Sequence, residues 1–265
     1  MEILLFRFLL GYLTLLAIKP KIIKPISWKQ ELIFFLASVS GISLYQYLEN
    51  LSLKYTSASN VSIIGACSVF FTAIFSILLL KDEKVNKFFF FGFIISIIGV
   101  AFVSYTAEGE IGMFSKGDII ALSSTILWGF YSVFIKIASK YKYSSILVTK
   151  RIMFYGTISL IPFCIFGNQD FSLGRFGDIE NLLLMLFLGV LASAICFFTW
   201  NLAVEYIGPV KTGTYFYFSP VITIIFDMIF LNKELELLGV LGTMLILIGL
   251  YVSSIKKKEK VDKMT

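Results

Sequence analysis

The chain has 265 residues, of which 58% are hydrophobic and only 15% charged. Soluble domains carry nearer a quarter charged residues, so this is a membrane composition, and the net charge of +6 sorts loops by side of a bilayer instead of marking a nucleic-acid surface. With no histidine in the chain, imidazole metal sites, Ser–His or Cys–His catalysis and histidine proton relays are excluded. Cys67, Cys164 and Cys196 stand singly in apolar segments without CxxC spacing and read as small buried residues. No metal and no cofactor is expected. Met1-Glu2 leads straight into an apolar run without a basic n-region, so no cleavable targeting segment is expected either.

Charges fall in short clusters between apolar runs of about 18 to 23 residues, the length that crosses a bilayer. The prediction is an all-α, multi-pass membrane protein with nine spans. The first run, Ile3 to Ile18, is short and carries Arg7 in its first turns, near the outer boundary with little to protect it. Lys19, Lys21, Lys24 and Lys29 follow, with Pro20 and Pro25 as breakers. Leu32 to Leu53 is the second span and ends in the polar break Lys54-Tyr55-Thr56-Ser57. Ser59 to Leu80 and Phe88 to Tyr105 are the third and fourth, separated by Lys81-Asp82-Glu83-Lys84 and Lys87. After the polar link Thr106 to Lys116 come Asp118 to Ala138, Ile146 to Phe166, Leu182 to Val204, Thr212 to Leu231 and Leu235 to Ile255. A basic tail, 257–265, closes the chain.

Basic residues set the orientation. With the Lys19–Lys29 loop in the cytoplasm, that side also collects Lys81, Lys84, Lys87, the Lys136–Arg151 group, Lys211 and the tail, while the other side keeps Arg7, Lys54, Lys116, Arg175 and Lys233. The expectation is a cell-membrane protein with a cytoplasmic C-terminus and, with nine spans, an external N-terminus.

The stretch from Asn50 to Glu83 returns 151 positions later, from Asn201 to Glu234. Asn50 matches Asn201, Tyr55 matches Tyr206, Ser68 matches Ser219, Thr72 matches Thr223 and Glu83 matches Glu234, without a gap. Five spans separate corresponding helices. Five is odd, so the two copies cross the membrane in opposite directions. Inverted repeats are the signature of secondary transporters, with a substrate site between the copies and alternating access to it. The chain divides accordingly into a first repeat at 1–106 with four helices and a second at 117–256 with five. Gly92, Ser96 and Gly99, and Gly239, Gly242 and Gly249, form small-residue stripes that let helices approach closely in lipid. They serve either packing within the chain or a homodimer through the Gly92/Gly99 or Gly242/Gly249 faces.

At three places the chain resembles the EamA-type transporters of the drug/metabolite transporter superfamily. One is Leu53-Lys54-Tyr55-Thr56-Ser57-Ala58 entering a helix that ends at Glu83; the second is Ser219-Pro220-Val221 in a helix ending Phe230-Leu231-Asn232-Lys233-Glu234; the third is Gly117-Asp118 opening a span with Trp128-Gly129. The resemblance implies ten helices in two inverted bundles of five, a central cavity lined by the third, fourth, eighth and ninth, and export of a small metabolite such as an amino acid. Arg7-Phe8-Leu9-Leu10 is similar to that family's second helix, so the first helix is expected to be missing, through loss or a start assigned too far downstream. The coupling glutamate of small multidrug relatives lies on that first helix, which puts proton coupling in doubt. The competing class is a non-transporting subunit or a truncated remnant; an enzyme is not expected.

Intramembrane ionisable groups are expensive and point to function. Glu49 shares a helical stripe with Tyr45 and either lines the cavity or pairs with Lys54 at the interface. Asp227 has the same choice with Lys233, and Glu83 and Glu234 read as helix caps. Candidate substrate-binding residues are Tyr45, Glu49, Asn50, Asn60, Trp128, Trp200, Asn201, Tyr215 and Tyr217, with aromatic faces suited to an amphipathic solute. Asn50 and Asn201 can bond a polar solute or one another, Lys211 marks the cytoplasmic mouth, and Pro220 kinks its helix. The expected partners are a small-molecule substrate and the lipid bilayer, not nucleic acid.

Overall fold

The computed structural model describes residues 2–24, 27–80, 87–108, 115–166, 178–217 and 237–255, with Ser219, Ile222, Phe226, Ile229 and Phe230 between the last two ranges. Among these residues every regular element is helical. We number the helices α1 (Glu2–Ile18), α2 (Trp28–Ser52), α3 (from Ala58 to Leu80), α4 (Lys87–Glu108), α5 (Lys116–Ser139), α6 (Ser145–Phe166), α7 (Ile179–Ile207), α8 (opening at Pro209) and α9 (Leu237–Ser254). Five of them, α2, α3, α5, α6 and α7, are long and apolar enough to cross a membrane. The expected multi-pass helical architecture is the one observed. Glu83, Pro220, Val221, Asp227, Lys233 and Glu234 lie outside the described residues.

Helix starts are set by small polar caps. Ser27, Ser57 and Asp178 each accept a backbone N–H from the first turn of α2, α3 and α7. At α5, Ser115 and Asp118 form a reciprocal capping box. Asp118 also accepts the Thr56 hydroxyl at 2.9 Å, which ties the 54–57 break onto the start of α5. Gly208, at φ +88°, ends α7, and Pro209 opens α8, where its missing N–H is no loss.

Among the described residues, three helices contain π-helical stretches: Val39–Ser43 in α2, Ser76–Leu80 in α3 and Phe187–Ile195 in α7. Shifted by 151, the first falls inside the third. Such stretches loosen the i→i−4 ladder and cluster at functional sites.

α5 is the central post, against which α2, α3, α6 and the C-terminal part of α7 all pack. Phe8, Phe34, Tyr131, Ile152, Met153 and Phe197, drawn from α1, α2, α5, α6 and α7, form the larger core. A second core joins α3 to Phe89 on α4, Ala121 on α5 and Ile246 on α9. Residues of both sequence halves therefore share each core.

The stripes of small residues meet each other within this one chain. A methyl group added to Gly92 would stand 2.1 Å from the Gly249 carbonyl oxygen, and one on Gly99 would stand 2.5 Å from that of Gly242. Ser96 Oγ donates to the Ile246 carbonyl at 3.2 Å. Numbers rise along α4 as they fall along α9, so these last helices of the two halves run antiparallel with their backbones in contact. Of the two uses open to these faces, packing within the chain is the one adopted, and a homodimer built on them would require the pair to separate.

Candidate functional site

Two glycines bring the site's helices together. Gly41 lies in the π-helical turn of α2, and the Tyr131 ring occupies the space its side chain would take, with ring carbon 2.2 Å from an added methyl. Gly129 lets α5 settle on Phe71 and Thr72 of α3, where an added methyl would meet atoms at 2.9 to 3.0 Å. With α5 seated between α2 and α3, Trp128 projects into the middle of the bundle.

Around Trp128 the rings are continuous. Tyr45 on α2 lies at 4.7 Å between centroids, Trp200 on α7 at 5.2 Å, Phe216 on α8 at 5.5 Å and Phe197 on α7 at 6.0 Å. Trp200 and Phe216 stand 4.9 Å apart. The Nε1 atoms of both tryptophans are buried and have no acceptor among the described residues. Such orphaned donors are costly, and they are the groups a bound molecule could satisfy.

Glu49 closes one end of this cluster. The Tyr45 hydroxyl donates to its carboxylate at 2.6 Å, a bond one helical turn long on α2. Lys54, the interface partner allowed by the sequence, is exposed, and Glu49 accepts from Tyr45 instead. Nearby, Arg7 of α1 donates through Nε to Ser193 Oγ on α7 at 3.0 Å and through a terminal nitrogen to Gln46 Oε1 at 3.4 Å, with its guanidinium 5.0 Å from the Phe8 ring centre. The sequence predicts Arg7 near an outer boundary with little to protect it; the fold corrects this by enclosing it among polar side chains of α2 and α7.

The candidate residues divide into two groups. Tyr45, Glu49, Trp128 and Trp200 come together. Asn201 lies one residue away but faces elsewhere: it accepts the Tyr131 hydroxyl at 2.7 Å and donates to Thr149 Oγ1 at 2.9 Å, tying α5, α6 and α7. Its repeat counterpart Asn50 is exposed and donates to the Gln46 carbonyl of its own helix at 2.7 Å, so the two asparagines do not meet. Asn60 is buried at the start of α3, donating to Thr56 Oγ1 at 3.2 Å, a helix-junction role. Tyr215 points outward, 64% exposed, and the side chain of Tyr217 lies outside the described residues. Lys211 is exposed near the start of α8.

Phe216, Phe197 and Arg7 lie beside this candidate cluster, and the sequence pattern does not single them out as binding residues. Phe216 replaces Tyr215 because Thr214–Tyr217 is a 3₁₀ turn, whose tighter winding shifts each side chain relative to α-helical spacing. Only Arg7 carried a signal, as a cation in an apolar run. Under the repeat offset Trp200 corresponds to Glu49, so the two copies place an aromatic ring and a carboxylate at equivalent points. No group of three or more potential metal ligands occurs among the described residues.

A second feature lies near the α1–α2 connection. Arg151 donates to Glu31 at 2.9 Å, the Tyr155 hydroxyl donates to the same carboxylate, and Lys150 reaches the backbone carbonyls of Lys19 and Lys21. These contacts fasten the connection to α6 beside a cleft of about 150 Å³ lined by Tyr12, Ile22, Ile23 and Phe154.

Comparison with known proteins gives a consistent result. The family model described as EamA-like transporter family matches residues 1–105 and 115–255. An uncharacterised transporter of Archaeoglobus fulgidus is 28% identical over 263 residues, covering 96% of this chain and 87% of its own. The uncharacterised transporter YyaM of Bacillus subtilis is 27% identical over 85% of this chain and 74% of its own. A WAT1-related protein of Arabidopsis thaliana is 29% identical over 57% of this chain. A solved crystal structure with 16% identity superposes with a TM-score of 0.68 over 96% of this chain and 88% of its own, a likeness of fold.

Proposed function

The chain belongs to the EamA-like transporter family, and from that membership we propose that it exports a small metabolite, an amino acid or related compound, by alternating access between its two inverted repeats. The protein is a membrane transporter, not an enzyme. The observation that carries the finer reading is the ring cluster of Tyr45, Trp128, Trp200 and Phe216, with Glu49 at its edge and two buried indole N–H groups lacking acceptors. It sits where α2, α5, α7 and α8 converge, so an occupant there contacts helices from both halves. Tyr45 and Glu49 come from the first half and Trp128, Trp200 and Phe216 from the second, so moving the halves apart would part Tyr45 and Glu49 from the other rings. The π-helical turns at matching points of α2 and α7 supply places where these helices can bend as access alternates.

Counterflow into proteoliposomes across a panel of amino acids and related metabolites tests this reading. Trp128→Ala is expected to lower kcat/KM for the exchanged compound by about tenfold or more, the equivalent of losing one good ring contact. Trp128→Phe is expected to fall between alanine and the parent. Unchanged exchange in Trp128→Ala would sink the site.

The lysine asymmetry supports an orientation with the Lys19–Lys29 loop and the C-terminal tail in the cytoplasm of a cell-membrane protein. A reporter active only in the cytoplasm, fused after Thr265, is expected to be active. Activity only with an externally folding reporter would reverse the assignment of sides.

A further inference from the structure

The cleft between α1 and α6 shares no lining residue with the ring cluster, and it joins a cationic end to an apolar one. Tyr12 on α1 and Phe154 on α6 form the apolar wall, with ring centres 5.8 Å apart. Lys150 and Arg151 form the cationic end, about one helical turn before Phe154. Lys150 stands about 7.5 Å along the axis from the start of α6, the depth at which a headgroup layer gives way to hydrocarbon. The two cations are held differently. Arg151 is paired: Nε and Nη2 donate to one oxygen of Glu31 at 3.1 and 2.9 Å, while Nη1 has no acceptor among the described residues. Lys150 has no carboxylate partner among them. It is 3% exposed, and its ammonium donates to the backbone carbonyls of Lys19 and Lys21, which are neutral. Those two bonds leave a third N–H donor and supply no counter-charge. Glu205, which reaches the start of α6, is taken by the Ser145 hydroxyl. Lys19, donating to Ser144 Oγ at 3.0 Å, and the exposed Lys21 and Lys24 add positive charge at the same end. A buried cation without an anion is costly, so this end of the cleft favours an anionic group.

We propose that this cleft seats the phosphate of an anionic phospholipid, with Lys150 and Arg151 at the phosphate and the start of an acyl chain along Tyr12 and Phe154. A phosphodiester carries the single negative charge that Lys150 lacks, and its oxygens accept from ammonium and guanidinium alike. The size of the cleft argues for a lipid over a soluble solute. At about 150 Å³ it is smaller than the 300 Å³ or more of pockets that enclose a small molecule, so an occupant must leave most of itself outside. What lies outside is the membrane-facing surface, since Ile22 is 62% exposed and Phe154 36% exposed in the wall of the cleft. Basic pockets between transmembrane helices are where anionic headgroups bind. Trp28, 82% exposed at the start of α2 beside Lys29, is an amphipathic ring of the kind that sits at headgroup level. Lys150 is also the clasp that holds the α1–α2 connection onto α6, so a lipid that neutralises it tightens that clasp. The proposal is independent of the substrate reading of the ring cluster.

The test uses the purified full chain in detergent micelles doped with phosphatidylglycerol or phosphatidylcholine. Native mass spectrometry reads the lipid retained, and thermal unfolding reads its effect. Phosphatidylglycerol is expected to be retained about tenfold over phosphatidylcholine and to raise the melting temperature by about 5 °C. The preference is expected to survive in about 0.5 M salt, which screens attraction to exposed lysines far more than contact with a buried one. Lys150→Gln is expected to lose both effects, Lys150→Arg to keep them, and the exposed control Lys142→Gln to stay within about twofold of the parent. Should Lys150→Gln fail to fold, Ile22→Glu gives the same answer from an exposed position: a carboxylate in the cleft wall replaces the phosphate and removes the preference. Equal retention of the two lipids by the parent overturns the proposal, as does a folded Ile22→Glu that still prefers phosphatidylglycerol. A loss in Lys142→Gln as large as in Lys150→Gln overturns it in favour of diffuse surface attraction. An equal rise in melting temperature with inorganic phosphate or glycerol 3-phosphate in phosphatidylcholine micelles overturns it in favour of a soluble anion.

Discussion

Leucine in place of Gly249 is expected to force α4 and α9 apart and to lower stability by about 3 kcal/mol or more, the upper end of what overpacking costs. At this position even a methyl group would stand 2.4 Å from the Gly92 carbonyl oxygen and 2.4 Å from Ser96 Oγ. The first obstacle is backbone, which cannot turn aside as a side chain can. Thermal unfolding in detergent, followed by size-exclusion chromatography, reads the effect. Gly65→Ala is the control, because nothing lies within 4 Å of the added methyl there. Alanine is the better helix former by about 1 kcal/mol, so Gly65→Ala should leave the melting temperature unchanged or slightly higher. Equal behaviour of Gly249→Leu and Gly65→Ala would mean that α4 and α9 do not meet as described.

Asn201→Ala should destabilise the protein by about 3 kcal/mol while leaving KM within about twofold of the parent value. The amide joins the Tyr131 hydroxyl on α5 to Thr149 on α6, and all three residues are 1% exposed or less. Alanine strips the phenol of its acceptor in a dry interior and leaves a small cavity beside it. Thr149 loses less, since its hydroxyl still donates to the Ser145 carbonyl at 2.8 Å. Tyr131→Phe in the Asn201→Ala background should recover about 1 kcal/mol, since the orphaned hydroxyl is then gone. A tenfold rise in KM with unchanged stability would return Asn201 to the substrate.

Much of the candidate site was legible as residue types but not as contacts. Glu49 stood out because a carboxylate in an apolar run has few bland explanations, and Trp128 and Trp200 because large amphipathic rings favour cavities or interfaces. The same ground points to Tyr215, but with the 3₁₀ turn at Thr214–Tyr217 it is Phe216 that meets Trp128 while Tyr215 faces outward. A turn of this kind has no composition signature, and one step in helical phase moves a side chain from the interior to the surface. Asn50 and Asn201 show a related limit. Their identity across the repeat is real, but one is exposed and bonds its own helix while the other is enclosed by α5 and α6. Equivalent positions share a role only where equivalent neighbours surround them.

The sequence by itself determined that this is a multi-pass helical membrane protein and which family it resembles, and it supplied the in-register repeat from which the opposite crossing of the two halves is proposed. These follow from run length, charge placement and in-register identity, which are local or periodic and need no contacts. The tertiary structure decided where Arg7 goes, which face the glycine stripes meet and which aromatic rings converge on Trp128. Those outcomes depend on helix phase and on close approach between segments more than a hundred residues apart. The Gly92–Gly249 contact and the Arg7–Ser193 bond are of that kind, and only a folded chain makes them.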